Sequence, residues 1–245
     1  INRLQGQAVA LHPGMVAVLA DAWEVGQELG SLPTRVPLPR PESTWQTRTK
    51  KTYWRQVIAA NADRKRQSQR TATAQVLALA ERLLGEEDER LWRPVYLDSR
   101  GRIYYRSQMS LHQADHVRSL LRWPAGTGYN TLGVERHRQW FGWQLQGHYG
   151  IRQTSLEAAG AWLSTYGPAL AQLGRDVQVD SQVVRQAKEP WATAAMAMEL
   201  AAHEADPGHQ VRHMMRLDQT CSGYGHVAAM TWDSQLARAT NLIGT

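Results

Sequence analysis

The chain has a single cysteine, Cys221, in 245 residues. That excludes a disulfide framework and a four-cysteine zinc site, and it fits a reducing compartment or no dependence on oxidation at all. No apolar run approaches the length of a membrane span, which excludes a transmembrane helix. A signal-peptide pattern is also missing, but the chain begins at Ile1 without an initiator Met, so that absence excludes nothing about targeting. Internal repeats are absent. With 42% hydrophobic residues, the chain can bury a core as one large domain or two small ones.

The net charge of +6 is unevenly spread. Between Arg35 and Arg70 there are ten basic residues against two acidic ones, Glu42 and Asp63, an excess larger than that of the whole chain. Trp45, Tyr53 and Trp54 are interleaved with them. Such a block suits a phosphate backbone, which releases counterions when neutralised, and bases that stack on aromatic faces. A solvated helical face has the same composition, so charge alone leaves both readings open.

The periodicity is mostly helical. "AVALHPGMVAVLADAWEVGQEL" reads as an amphipathic helix disturbed by Pro13 and Gly14, and "SLPTRVPLPRPE", with four prolines, reads as an extended linker. A long helical pattern follows from Thr44 to Leu84, basic in its middle and apolar later at Val76, Leu77, Leu79, Leu83 and Leu84. The strand-like "WRPVYLD" then leads through a turn into a second short strand in "SRGRIYYRS". Further helices are expected over 115–122, 131–148, 155–172 and 181–204.

Two segments carry candidate chemistry. In "RLDQTCSGYGH", Arg216 to His226, the preceding "HMMRLD" reads as a strand that leaves the core at Asp218, followed by a small-residue turn and a helix. Asp218 can be a carboxylate aimed by a strand end or a cap on the next helix, and spacing does not separate the two. In "LDSRGRIYYRSQMSLHQADHVRSLL", Leu97 to Leu121, an Asp-x-x-Gly-Arg turn displays Arg102, which ordinary hairpin chemistry also explains.

The order of these pieces, a basic helix, then "LDSRGRIYY", then "RLDQTCSGYGH" and a helix ending "NLIGT", resembles the single-subunit DNA-directed RNA polymerases of bacteriophages and mitochondria, over roughly residues 45–245. In that family the first motif lies against the template and RNA hybrid. The second, motif A, carries a catalytic aspartate of the palm. The resemblance places Asp218 on the metal-binding aspartate, with the backbone carbonyl of Gln219 as a further metal ligand, and Cys221, Ser222, Gly223 and His226 on the turn and its helix. Gln219 and Gly225 depart from the family's usual Gly and Gln. Arg102 falls on the arginine of the Gly-Arg motif, whose guanidinium can fork onto a phosphate or sugar oxygen. Arg118 falls on a basic position near the hybrid, and Arg64, Lys65, Arg66 and Arg70 match a basic helix that faces nucleic acid.

The resemblance implies a mainly α fold with a small antiparallel sheet (α+β). Its parts are an N-terminal helix and Pro-rich linker over 1–42, a basic thumb-like helical region over 43–90, and a partial palm with associated helices over 91–245, its strands including the segments around Leu97 and Leu217. It implies nucleotidyl transfer with two Mg²⁺ ions about 4 Å apart. Asp218 then supplies half of a metal site. The second carboxylate and the helix that binds the incoming NTP are expected from a second polymerase subunit or from a missing C-terminal part; a split arrangement also occurs among phage relatives, and this chain is expected to be the small subunit of such an enzyme. The other expected partners are DNA template, RNA product, NTPs and a single-stranded-DNA-binding or promoter-opening factor, with no membrane. The expected location is the cytoplasm of an infected bacterial host, with the virion and the mitochondrial matrix as alternatives.

Two rival functions stand beside this one. His209 and His213 are four apart in "HEADPGHQVRH", a spacing that on a helix presents both to one metal, and with Asp218 or Glu204 they would make a zinc- or iron-dependent hydrolase. Pro207 and Gly208 interrupt a helix that would also carry His203, and "HEADP" is not the HExxH pattern. The charge block alone supports a basic nucleic-acid-binding protein without catalysis, which leaves the Asp218 turn unexplained.

Overall fold

The computed structural model describes residues 2–36, 50–99, 101–126, 134–206, 208–215, 222–240 and 242–243; for 50–56, 134 and 222 it describes the backbone alone. The described residues are mostly helical, with two small antiparallel sheets, as expected for the α+β class. They separate into two compact units, Ile1–Met214 and Met215–Thr245.

In the first unit, after a single helical turn α1 (Asn2–Gln5), strand β1 (Ala10–Leu11) enters helix α2 (Pro13–Glu24). Pro13 starts this helix rather than disturbing it: proline's fixed φ suits the first helical turn, and His12 Nδ1 accepts the Met15 N–H at 3.3 Å as the cap. Helix α2 buries Met15, Val16, Leu19, Ala22 and Trp23. The long pattern becomes α3 (Lys50–Leu84), 35 residues and about 50 Å of helix. Only its C-terminal half joins the core, through Val76, Leu77 and Ala80.

The hairpin expected around Leu97 forms as β2 (Val95–Leu97) and β3 (Ile103–Tyr105). The helix expected over 115–122 is shorter. Helix α4 (Asp115–Arg118) stops because Leu121 and Arg122 form β4, whose register with β1 is Leu11↔Leu121 and Ala10↔Arg122.

Helices α5 (Val134–Tyr149), α6 (Leu156–Arg175) and α8 (Pro190–Ala205) build a second core around Phe141, Leu145, Leu163, Leu170, Met196 and Leu200. The helices approach closely where side chains are missing: a Cβ on Gly174 would collide with the Ala197 carbonyl oxygen, and one on Gly142 with that of Ala159. The single helix expected over 181–204 is two, α7 (Gln182–Arg185) and α8, because Pro190 is placed at the start of a helix and cannot continue one. Trp191, with no exposed surface, anchors α8 in the first core and donates its indole N–H to the Leu29 carbonyl at 3.1 Å. Truncating a buried Trp to Ala typically costs about 3–5 kcal/mol.

The second unit holds α9 (Ser222–Thr231) and α10 (Ser234–Ala239). The helix expected after motif A is broken by Trp232 at φ 57° and by Asp233, whose carboxylate caps α10 by accepting the Gln235 and Leu236 N–H groups, each at 3.0 Å.

Candidate nucleic-acid interface and motif A segment

The β2–β3 turn is built by its own sequence. Asp98 N–H donates to the Arg102 carbonyl at 2.9 Å, the Asp98 carboxylate accepts the Arg102 N–H at 2.9 Å, and Gly101 takes a φ of 76° that favours glycine. Arg102 is exposed, and its guanidinium has no hydrogen bond or ion pair among the described residues. The register pairs Tyr96 with Tyr104, so both rings share one face, with centroids 5.9 Å apart. Arg106 lies 4.9 Å above the Tyr96 ring, and Arg93 lies 4.6 Å above Tyr105, whose ring also meets His112 at 5.1 Å. The hairpin therefore carries a cation at its tip and a cation–aromatic contact on each face, Arg106 with Tyr96 on one and Arg93 with Tyr105 on the other.

The four basic residues of α3 differ in environment. Arg64 and Lys65 are exposed and form no ion pair among the described residues. Arg66 reaches Glu28 at 3.9 Å, and Arg70 pairs with Asp63 at 3.6 Å with its side chain only 12% exposed. Arg64 and Lys65 are thus the cations freest to meet phosphate. Elsewhere in the basic block Arg35 pairs with Glu24, Trp45 lies outside the described residues, and the side chains of Tyr53 and Trp54 are likewise not described.

Arg118 faces carboxylates. Its guanidinium meets Glu189 at 2.5 Å and Asp115 at 3.6 Å, while the other Asp115 oxygen accepts the Trp191 N–H at 2.9 Å. This arrangement ties α4 to the start of α8. Sequence reading missed it, since Asp115 and Trp191 lie 76 residues apart with no signal joining them. The Tyr96–Tyr104 face was also missed, although period-two alternation across "VYL" and "IYY" contains it.

Asp218, Gln219 and Cys221, together with Leu217, lie outside the described residues. The described part of the preceding segment, 211–215, carries no strand. Helix α9 does follow the motif, with Gly225 buried and His226 exposed.

The histidine arrangement needed for a zinc or iron site does not form. Residues 209–215 are not helical, so the four-residue spacing does not bring His209 and His213 together on one face. His209 Nε2 instead bonds the buried Glu199 carboxylate at 2.8 Å, and the buried His213 ring packs edge-on to His148. His203 stacks on Phe141 at 5.9 Å and meets His137 at 5.4 Å, and burial pulls both imidazoles below their ordinary range. Among the described residues, no cluster of three or more His, Cys, Asp or Glu side chains could hold a metal ion.

Residues 131–245 match the family model described as DNA-dependent RNA polymerase. The chain is 27% identical over 92% of its length to the mitochondrial DNA-directed RNA polymerase of Neurospora crassa, 25% over 94% to DNA-directed RNA polymerase 3, chloroplastic, of Nicotiana sylvestris, and 26% over 89% to the mitochondrial DNA-directed RNA polymerase of Mus musculus. It covers 16%, 24% and 19% of those relatives, so it spans between a sixth and a quarter of their length. Among the described residues no helix is long and apolar enough to cross a membrane. The family-model match reaches across Asp218, and the similarity to organellar DNA-directed RNA polymerases extends over most of the sequence.

Proposed function

We propose that residues 1–245 form the thumb-like and partial palm portion of a DNA-directed RNA polymerase and act in templated nucleotidyl transfer. The observation that carries this reading is the hairpin: in a chain similar to this family, it leaves the Arg102 guanidinium without a hydrogen bond or ion pair among the described residues, on a hairpin that also pairs Tyr96 with Tyr104. Arg64 and Lys65 on α3 neutralise backbone phosphates, and Arg102 forks onto a phosphate or sugar oxygen of the template–transcript hybrid. Arg66, Arg70 and Arg118, each beside a carboxylate, contribute mainly field and scaffold.

Asp218 and the Gln219 carbonyl offer hard oxygen donors, the kind that Mg²⁺ selects, and one carboxylate is fewer than a two-ion site needs. The residues fit the metal in kind, and the remaining ligands come from sequence outside 1–245, in a partner chain or a further segment. A pair of Mg²⁺ ions held there would lower the cost of ionising the 3′ hydroxyl and balance charge on the triphosphate. The same outside sequence supplies the helix that binds the NTP, and a separate factor opens promoter DNA. The compartment follows the template: an infected bacterial cytoplasm for a phage genome, an organelle for a genome like those served by the fungal and plant relatives.

The test is RNA synthesis on a single-stranded template by the chain combined with its completing sequence. Incorporation that requires Mg²⁺ and all four NTPs supports the proposal. Salt-dependent nucleic-acid binding without incorporation would instead favour the non-catalytic binding reading.

A further inference from the structure

Between the C-terminal half of α3 and the segment leading into α4 lies a recess of about 310 Å³. Its floor is the buried pair Thr73 and His116, its walls include Val76 and Val117, and its mouth carries the exposed amides of Gln69, Gln75, Gln108 and Gln113. Among the described residues no charged side chain lines it.

The floor is fully organised. Thr73 donates its hydroxyl to the Gln69 carbonyl at 3.0 Å, so it can only accept from His116 Nε2, 3.2 Å away. That places the imidazole proton on Nε2 and leaves Nδ1 to accept from the Ser31 hydroxyl at 2.9 Å, while Ser31 Oγ accepts the His116 backbone N–H at 3.2 Å. Burial pushes the His116 pKa down to about 4, so the ring is neutral at ordinary pH.

At the mouth, Gln108 donates to the Gln75 carbonyl oxygen at 3.4 Å, which leaves a Gln75 donor and a Gln108 acceptor side by side. The amides of Gln69 and Gln113 form no hydrogen bond among the described residues. An open groove along α3, past Arg64, Ser68 and Thr71, runs into the recess and shares Ala72 and Gln75 with it.

We propose that this recess receives a single unpaired nucleobase from a nucleic-acid strand that approaches along the α3 groove. A base is planar and uncharged, with apolar faces and an edge of adjacent donors and acceptors, which a glutamine amide can match in bidentate fashion. Among the described lining residues a phosphate or carboxylate ligand would find no cation, and a cationic ligand no carboxylate. The volume sits at the lower limit for small-molecule pockets, the scale of one base rather than a pair. The inference takes its partner class from the polymerase reading and adds a contact outside the hairpin and motif A.

The experiment titrates the isotope-labelled full chain with adenosine, guanosine, cytidine, uridine and, separately, ribose at millimolar concentration, following the glutamine side-chain amide and His116 ring resonances. At least one nucleoside should shift them saturably, ribose should not, and Gln75→Leu with Gln113→Leu should remove the response. In parallel, wild type should bind an oligonucleotide roughly tenfold more tightly than an abasic strand of equal length, and the double variant should lose that preference at an unchanged salt slope. The proposal is overturned if no nucleoside acts, if ribose acts equally, or if the double variant keeps the preference for bases. Nucleoside binding without any oligonucleotide binding would support the recess and sink the nucleic-acid reading of α3; salt-dependent binding blind to bases would do the reverse.

Discussion

Asp98 and Arg102 close the β2–β3 turn twice, once backbone to backbone and once through the Asp98 carboxylate, each at 2.9 Å, and the Arg102 guanidinium is used in neither bond. Conformation and display are therefore separable by mutation. Gly101→Ala, forced to a φ of 76°, should destabilise the hairpin by about 1 kcal/mol in urea unfolding. Arg102→Ala should unfold within about 0.5 kcal/mol of wild type and yet shorten the lifetime of salt-challenged elongation complexes. Elongation complexes as stable as wild type would reduce Arg102 to a turn residue.

Asp218→Asn should abolish RNA synthesis by the assembled enzyme while leaving its thermal unfolding unchanged, because the amide keeps the carboxylate's shape and loses the charge that holds Mg²⁺. Near-normal incorporation by the variant would refute the motif A assignment.

On α3 the environments predict an unequal salt response. Arg64→Gln with Lys65→Gln should lower the slope of log K against log salt by roughly 0.7–0.9 per residue on single-stranded template. Adding Arg66→Gln and Arg70→Gln should lower it by less per residue, since both already stand near carboxylates. Equal slopes for wild type and the four-fold variant would assign the block to solubility.

Arg118→Ala should behave as a stability mutant. Removing the guanidinium takes one cation away from Glu189 and the buried Asp115, at a cost of about 1–3 kcal/mol, and the salt slope for nucleic acid should stay unchanged. A lower slope at wild-type stability would return Arg118 to the hybrid.

Acid should weaken the fold before the carboxylates titrate. His12 and His116 have folded pKa values of about 4, below the unfolded value of about 6.5, chiefly through burial. The unfolded chain therefore binds protons that the folded chain does not as pH falls from 6.5 toward 4. Stability is complete above that window and declines within it by up to about 1.4 kcal/mol per pH unit for each histidine. His116→Gln, whose amide can still bond Ser31 and Thr73, should remove roughly half of that decline in urea midpoints read across the window.

Local chemistry determined what the sequence announced. The Asp98–Gly101 turn depends on residues within four positions of each other, so "LDSRGR" was enough to place it, and the apolar spacing from Val76 onward was enough to place the buried half of α3. Spacing also suggested things that long-range pairing then overruled. The helix expected over 115–122 ends early because a β-ladder with residues more than a hundred positions upstream captures Leu121 and Arg122. His209 and His213 do not share a helical face, because the backbone there is not helical and Glu199 takes His209. Only the tertiary structure could pair Arg118 with Glu189, or seat His116 between Ser31 and Thr73, 85 and 43 residues away. A turn or a helix face is selected by forces acting within a few residues, whereas the partner of a buried charge or imidazole is whichever polar group packing brings alongside it, and sequence spacing carries no record of that choice.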